Sequence, residues 1–159
     1  MKKRKGFTLV ETLVVLTLMG IIAALSVGYS LRTKERWTLR GISREVTSSY
    51  YEMRARASRE NSPCKIEFNT NSFSTFFHDG AAWQRIEDYD IGEKVTISKA
   101  PNLKPGFAVN SSGFIIDPDT RMIVGAQVIT LSLNRGAGVD RVIISIFPYG
   151  GLRVENKFI

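Results

Sequence analysis

Gly6-Phe7-Thr8-Leu9-Val10-Glu11, preceded by Met1-Lys2-Lys3-Arg4-Lys5 and followed by the uncharged residues 12–31, decides the reading of this chain. Twenty uncharged residues in a helix rise about 30 Å, the thickness of a bilayer's hydrocarbon core. A membrane span is therefore predicted over residues 7–31. Glu11 stands inside it. A carboxylate at mid-bilayer costs on the order of 2.5–3.5 kcal/mol, less near a helix end, so an acid in this place has a partner and a task. Lys2, Lys3, Arg4 and Lys5 stay cytoplasmic because positive charge is retained on the inside, which sends the C-terminal part across the membrane. Arg32, Lys34 and Arg36 at the other end reduce that asymmetry.

These residues resemble the amino terminus of type IV prepilins and type II secretion pseudopilins, a family with a short basic leader followed by Gly, Phe, Thr, Leu, an apolar residue and Glu. The resemblance covers residues 2 to about 31. It implies that a prepilin peptidase cuts after Gly6, removing residues 1–6, and N-methylates Phe7, so that Glu11 becomes the fifth residue of the mature subunit. It also implies a single-pass protein of the bacterial inner membrane, N-in and C-out, that moves into an extracytoplasmic filament. Its partners would be other pilins or pseudopilins and the inner-membrane assembly platform. Electrostatics agrees with this, because a new α-ammonium at Phe7 and the Glu11 carboxylate can pair, within one subunit or between neighbours, where the dielectric is low. In a stacked helical bundle such a pair would fix axial register.

Two other readings stand beside this one. A basic start, an apolar run and Ala23-Ala24 also describe a secretory signal, although the run is longer than an ordinary signal core and lacks a good small-x-small cleavage site. A plain single-pass anchor leaves Glu11 and the Gly-Phe-Thr-Leu string without a purpose. The mature N-terminus separates the three: Phe7, a residue near Ser26, or an intact Met1.

Beyond the apolar run, Leu39, Ile42, Val46, Tyr50, Met53 and Ala57 recur at intervals of 3, 4, 4, 3 and 4, which is one face of an amphipathic helix. Arginines and glutamates, among them Arg40, Arg44, Glu45, Glu52 and Arg54, fill the other positions, a pattern that describes a solvated face more often than a polyanion site. Pro63 sets the latest stop. One long helix is thus predicted over residues 7–60, with residues 32–62 as its amphipathic second segment and Gly20, Gly28 and Gly41 as candidate bends.

Residues 63–159 read as a β-rich exported domain, because short Phe-, Ile- and Val-rich segments alternate with Gly, Asn, Asp and Pro. Strands are expected at 64–68, 73–78, 95–98, 107–109, 114–116, 128–134, 142–147 and 152–154. Ile129, Leu131 and Leu133 alternate with Thr130, Ser132 and Asn134, and Val142, Ile144 and Ile146 with Ile143, Ser145 and Phe147; one side of each strand belongs to a core. Arg135-Gly136-Ala137-Gly138 and Pro148-Tyr149-Gly150-Gly151 are turns that make the last three strands a meander. The expected fold class is α+β: a long N-terminal helix, transmembrane and then amphipathic, packed on a C-terminal antiparallel β-sheet domain.

Length and charge agree with one core. Without leader and span about 130 residues remain, which suits a single compact domain. The formal charge is +7, but removing the four leader cations leaves 18 Lys and Arg against 15 acids, a formal +3. Cys64 is alone, so no internal disulfide forms and a small buried hydrophobe is expected.

No catalytic constellation is evident. His78, the one histidine, precedes an Asp79-Gly80 turn and reads as a loop residue. No nucleophile elbow, phosphate loop or Cys-x-x-Cys pair occurs. Glu87, Asp88, Asp90 and Glu93, and Asp117-Pro118-Asp119, lack the dense oxygen ligands of a calcium loop. Neither enzymatic activity, nor metal, nor cofactor is expected. Trp37, Trp83 and Phe76 could anchor an interface, but in a small domain aromatic residues are more often core, and they read as core here.

The C-terminal half resembles the pseudopilin H and FimT group of minor pilins in residues 107–113, the long strand around Ile129, and the closing Gly150-Gly151-Leu152-Arg153-Val154. Domains of that group often end in Gly-Arg-x-Arg-Val. Arg153 and Val154 match, whereas Gly151 stands where the first arginine would be. The resemblance implies the pilin fold and a structural role as a minor subunit of a type II secretion pseudopilus or a type IV pilus. It also implies an alternative, because some FimT-like members are held to bind DNA for uptake through basic residues near the C-terminus. The corresponding nucleic-acid candidates are Arg135, Arg141, Arg153 and Lys157.

Overall fold

The computed structural model describes residues 8–99, 106–134 and 138–158, and for residues 25–32 the helical backbone alone. Gly6, Phe7 and Arg135, with the rest of its turn up to Ala137, lie outside the described residues. Helix α1 is Leu9–Arg59, unbroken through Gly20, Gly28 and Gly41. It ends ahead of Pro63 because Asn61 turns left-handed (φ 49°) and the Ser62 N–H reaches back to the Ala57 carbonyl (3.1 Å). That is a Schellman cap, and asparagine tolerates the left-handed position better than most residues.

The chain divides into two compact units, Met1–Trp37 and Thr38–Ile159. In the first, residues 9–24 of α1 are exposed throughout, including Leu9, Val10, Leu16 and Ile22. Among the described residues, no helix is long and apolar enough to cross a membrane. The predicted span begins at Phe7 and takes in side chains 25–31, which are outside the described residues. What remains, residues 9–24, rises about 24 Å, short of a hydrocarbon core.

In the second unit every residue of the stripe read from the sequence is buried: Leu39, Ile42, Val46, Tyr50, Met53 and Ala57. They belong to one core with two antiparallel sheets. The strands are β1 Cys64–Phe68, β2 Ser72–His78, β3 Trp83–Asp90, β4 Val95–Lys99, β5 Gly106–Val109, β6 Ile115–Ile116, β7 Gln127–Asn134, β8 Val139–Ile146 and β9 Leu152–Lys157. One sheet has the order β3-β2-β1-β5-β6, the other β4-β7-β8-β9. The meander β7-β8-β9 forms as the alternation predicted, with Leu131 opposite Val142 and Ile144 opposite both Ile129 and Val154. Burying that alternating face and the helix stripe together is what makes the unit one core.

Three expectations change. Strand β3 has no counterpart in the sequence reading, which saw an aromatic at Trp83 and acids after it but no strand. All its residues except Trp83 and Tyr89 are exposed; it is an edge strand, held by backbone pairing to β2 and by Tyr89 stacked on Phe73 (4.4 Å). Charged side chains suit an edge because they discourage further pairing, and they erase the period-2 signal. His78 closes β2 instead of lying in a loop, is buried, and sits edge-on to Trp83 (5.0 Å). Phe76 is buried, but Trp37 is 57% exposed. Cys64 is fully buried, and burial pushes its thiol up to about 11.

Candidate functional site

The start of α1 explains part of what Glu11 does. Thr8 Oγ1 accepts the Glu11 N–H (3.2 Å), while Glu11 Oε2 accepts both the Thr8 N–H (3.2 Å) and the Thr8 hydroxyl (3.2 Å). Two of the orphan donors at a helix N-terminus are thereby satisfied reciprocally, as a capping box. The sequence reading gave Glu11 a task but missed Thr8. The Thr-x-x-Glu pattern ahead of an apolar run was the available signal. The cap holds the carboxylate at the Thr8 N–H and hydroxyl.

Of the four nucleic-acid candidates, three come together. Arg141 lies directly opposite Lys157 in the β8–β9 pairing, and Arg153 opposite Ser145; by strand periodicity Arg141, Arg153 and Lys157 project from the same side of the sheet. All three are exposed. Glu155 interrupts the cluster, because its Oε1 lies 3.0 Å from Arg153 Nε. Arg135 lies outside the described residues.

The position of β9 is set by a buried carbonyl. Tyr50 Oη and Arg54 Nη1, one helical turn apart on α1, both donate to the Gly150 carbonyl oxygen at 3.0 Å. Burial raises the Tyr50 hydroxyl above its ordinary pKa, which keeps the donor protonated. Gly150 has φ 81° and Gly113 φ 83°; a Cβ on Gly150 would meet the Gly113 carbonyl oxygen at 2.5 Å and Arg54 Cζ at 2.8 Å. The Ile115 N–H donates to the Pro148 carbonyl (2.8 Å). Helix, β5–β6 turn and β8–β9 turn are thus tied at one point. Gly151 differs: its φ is not positive, and a Cβ there meets chiefly the exposed Tyr149 ring. The backbone does not force glycine at the position where an arginine is absent.

Among the described residues, no three His, Cys, Asp or Glu side chains come together as a metal site. The acids serve turns instead. Asp79 Oδ1 accepts the Ala81 and Ala82 N–H groups (2.9 and 2.8 Å), and the bonds from Ala82, Ala81 and Gln84 hold its carboxyl down to about 2. Asp117 Oδ1 caps its own turn through the Asp119 and Thr120 N–H groups.

Residues 1–27 match the family of the prokaryotic N-terminal methylation motif. The fold is similar to the crystal structure of the type IV minor pilin FimU of Pseudomonas aeruginosa (strain PAO1), with a TM-score of 0.57 at 15% identity, covering 76% of this chain and 90% of that one. At such identity the likeness is one of fold. No curated protein matches the sequence.

Proposed function

We propose that this chain, type IV pilin-like by its N-terminal motif and its fold, is a minor subunit of a type IV pilus or a type II secretion pseudopilus. The motif and the fold are those of structural pilins rather than of enzymes. The observation that carries the reading is their combination: a methylation motif over residues 1–27 on a chain with a FimU-like fold. In this reading a prepilin peptidase cuts after Gly6 and methylates Phe7, and residues 7–31 anchor the protein N-in and C-out until it is extracted. Extraction exchanges lipid contacts for helix contacts. The new α-ammonium finds Glu11 already held at the helix start by Thr8, and the pair reduces the cost of keeping both charges dry.

N-terminal sequencing and intact mass of protein recovered from membranes test this. The mature chain should begin at Phe7 and carry one extra methyl group; a start at Met1 or near Ser26 defeats the proposal.

A second reading has an observation of its own, the common face of Arg141, Arg153 and Lys157. It makes the domain a DNA receptor at a filament tip. Protein contact is preferred because Glu155 sits inside the basic cluster and ties up Arg153. If the receptor reading holds, binding to duplex DNA weakens with salt by a log-log slope of about −0.9 per phosphate contact, and Arg153→Ala removes roughly one contact from that slope. No binding at low salt dismisses it.

A further inference from the structure

A second stripe runs along α1 beside the one that enters the core. Arg40, Arg44, Thr47 and Tyr51 recur at intervals of 4, 3 and 4, so they share one flank of the helix. That flank faces Val154 and Asn156 of β9 across an open groove of about 520 Å³, a volume in the range of small-ligand sites. The lining holds two arginines and no acid. Glu155, the acid of β9 between the two lining residues, lies on the other side of the strand by alternation and pairs with Arg153 (3.0 Å). Arg40 is steered by the Phe158 ring, 5.0 Å from its guanidinium, and Arg44 makes no ion pair among the described residues. Two guanidinium groups one turn apart in a concave site without a carboxylate focus positive potential there, and their planar forks suit an oxyanion such as a carboxylate.

The floor of the groove adds a second demand. Ser43 lines it at 5% exposure, and its hydroxyl makes no hydrogen bond among the described residues. A hydroxyl held that far from water is costly without a partner. Thr47 Oγ1 donates to the Ser43 carbonyl (2.8 Å), which leaves its own oxygen as an acceptor. The Asn156 amide offers a carbonyl as well. Guanidinium groups only donate, whereas these groups also accept, so the complementary ligand carries hydroxyl donors besides its negative charge. Sulfate has no such donors. The Tyr51 ring, 49% exposed, and Val154, 38% exposed, supply an apolar face of the kind that packs on the C–H face of a sugar ring.

We propose that the groove between α1 and β9 binds an acidic sugar of the uronic acid class. Its carboxylate lies on Arg40 and Arg44, its hydroxyls meet Ser43, Thr47 and Asn156, and a C–H face rests on Tyr51. The site lies wholly within the Thr38–Ile159 unit, so it stands or falls apart from the reading of the chain as a filament subunit. Arg141, Arg153 and Lys157 project from the opposite side of the sheet to Val154 and Asn156, which separates this groove from the nucleic-acid candidates.

Calorimetric titration of the full chain in detergent with trimers of galacturonate, glucuronate and mannuronate tests the proposal. At least one trimer should bind, about tenfold or more tighter than its methyl ester, which keeps the hydroxyls without the charge, and than inorganic sulfate, which keeps the charge without the hydroxyls. Arg44→Gln should weaken that binding about tenfold or more, and Ser43→Ala about fivefold. Arg44 is exposed, so its variant should keep the parent's thermal midpoint and read binding alone. Arg141→Gln, on the other side of the sheet, should change the affinity by less than about twofold. The proposal is overturned if none of the trimers binds, or if the ester or sulfate binds as tightly. Displacement of the trimer by an equal concentration of a pentaglutamate peptide or a single-stranded oligonucleotide also overturns it, as does an equal loss in Arg141→Gln and Arg44→Gln.

Discussion

Gly150→Ala should lower the stability of the Thr38–Ile159 unit by about 3 kcal/mol, and its midpoint of thermal unfolding by roughly 10 °C. The left-handed backbone at φ 81° costs an L-residue about 1–2 kcal/mol. The added methyl also demands that the Gly113 carbonyl or the Arg54 guanidinium move, from contacts of 2.5 and 2.8 Å. Either movement disturbs the two hydrogen bonds that Tyr50 and Arg54 make to the Gly150 carbonyl, each contributing about 1 kcal/mol net, more where a charged donor is involved. Gly151→Ala is the control. Its backbone is not left-handed and its obstacle is an exposed tyrosine ring, so it should cost under about 1 kcal/mol. Thermal unfolding of the full chain in detergent, with the two variants side by side, checks the contrast. Equal losses would show that the tie at Gly150 does not position β9.

The helix stripe was readable because burial of α1 follows a single period: all six apolar residues spaced by three and four are buried, with only Ser43 and Ser49 beside them among the described residues of the helix. The same holds for β7 and β8, whose alternating apolar side chains are buried on one face, with Ile129 opposite Ile144 and Leu131 opposite Val142. β3 was invisible for the opposite reason. Its pairing resides in the backbone, its outer face is water, and nothing in Gln84-Arg85-Ile86-Glu87-Asp88 alternates. The separation into two sheets was equally hidden, since β5 pairs with β1 and β4 with β7, both far away in sequence. At the candidate sites, Thr8 was legible through its spacing to Glu11. The roles of Tyr50 and Arg54 were not, because a hydrogen bond across 100 residues leaves no local pattern.

The capping box makes Glu11 ambiguous, and a pair of substitutions separates its two tasks. Glutamine serves a capping box as glutamate does, so Glu11→Gln keeps the bond from the Thr8 N–H and drops the charge; Glu11→Ala drops both. If the charge is what assembly uses, both variants should be cleaved after Gly6 normally, since the α-ammonium does not exist until cleavage, and both should then fail to enter filaments. Removing one partner of a buried pair costs about 3–5 kcal/mol, and 1.4 kcal/mol is tenfold in an equilibrium, so incorporation should fall at least about 100-fold in each. If the cap is what matters, Glu11→Gln assembles like the parent and only Glu11→Ala fails, by the about 1 kcal/mol that a lost cap costs. Quantifying each variant in sheared filaments against its processed pool in the membrane reads the difference directly. The expectation is that glutamine fails with alanine, because a lost cap costs only about 1 kcal/mol, whereas an α-ammonium taken into an apolar bundle has no other anion among residues 8–31 to neutralise it.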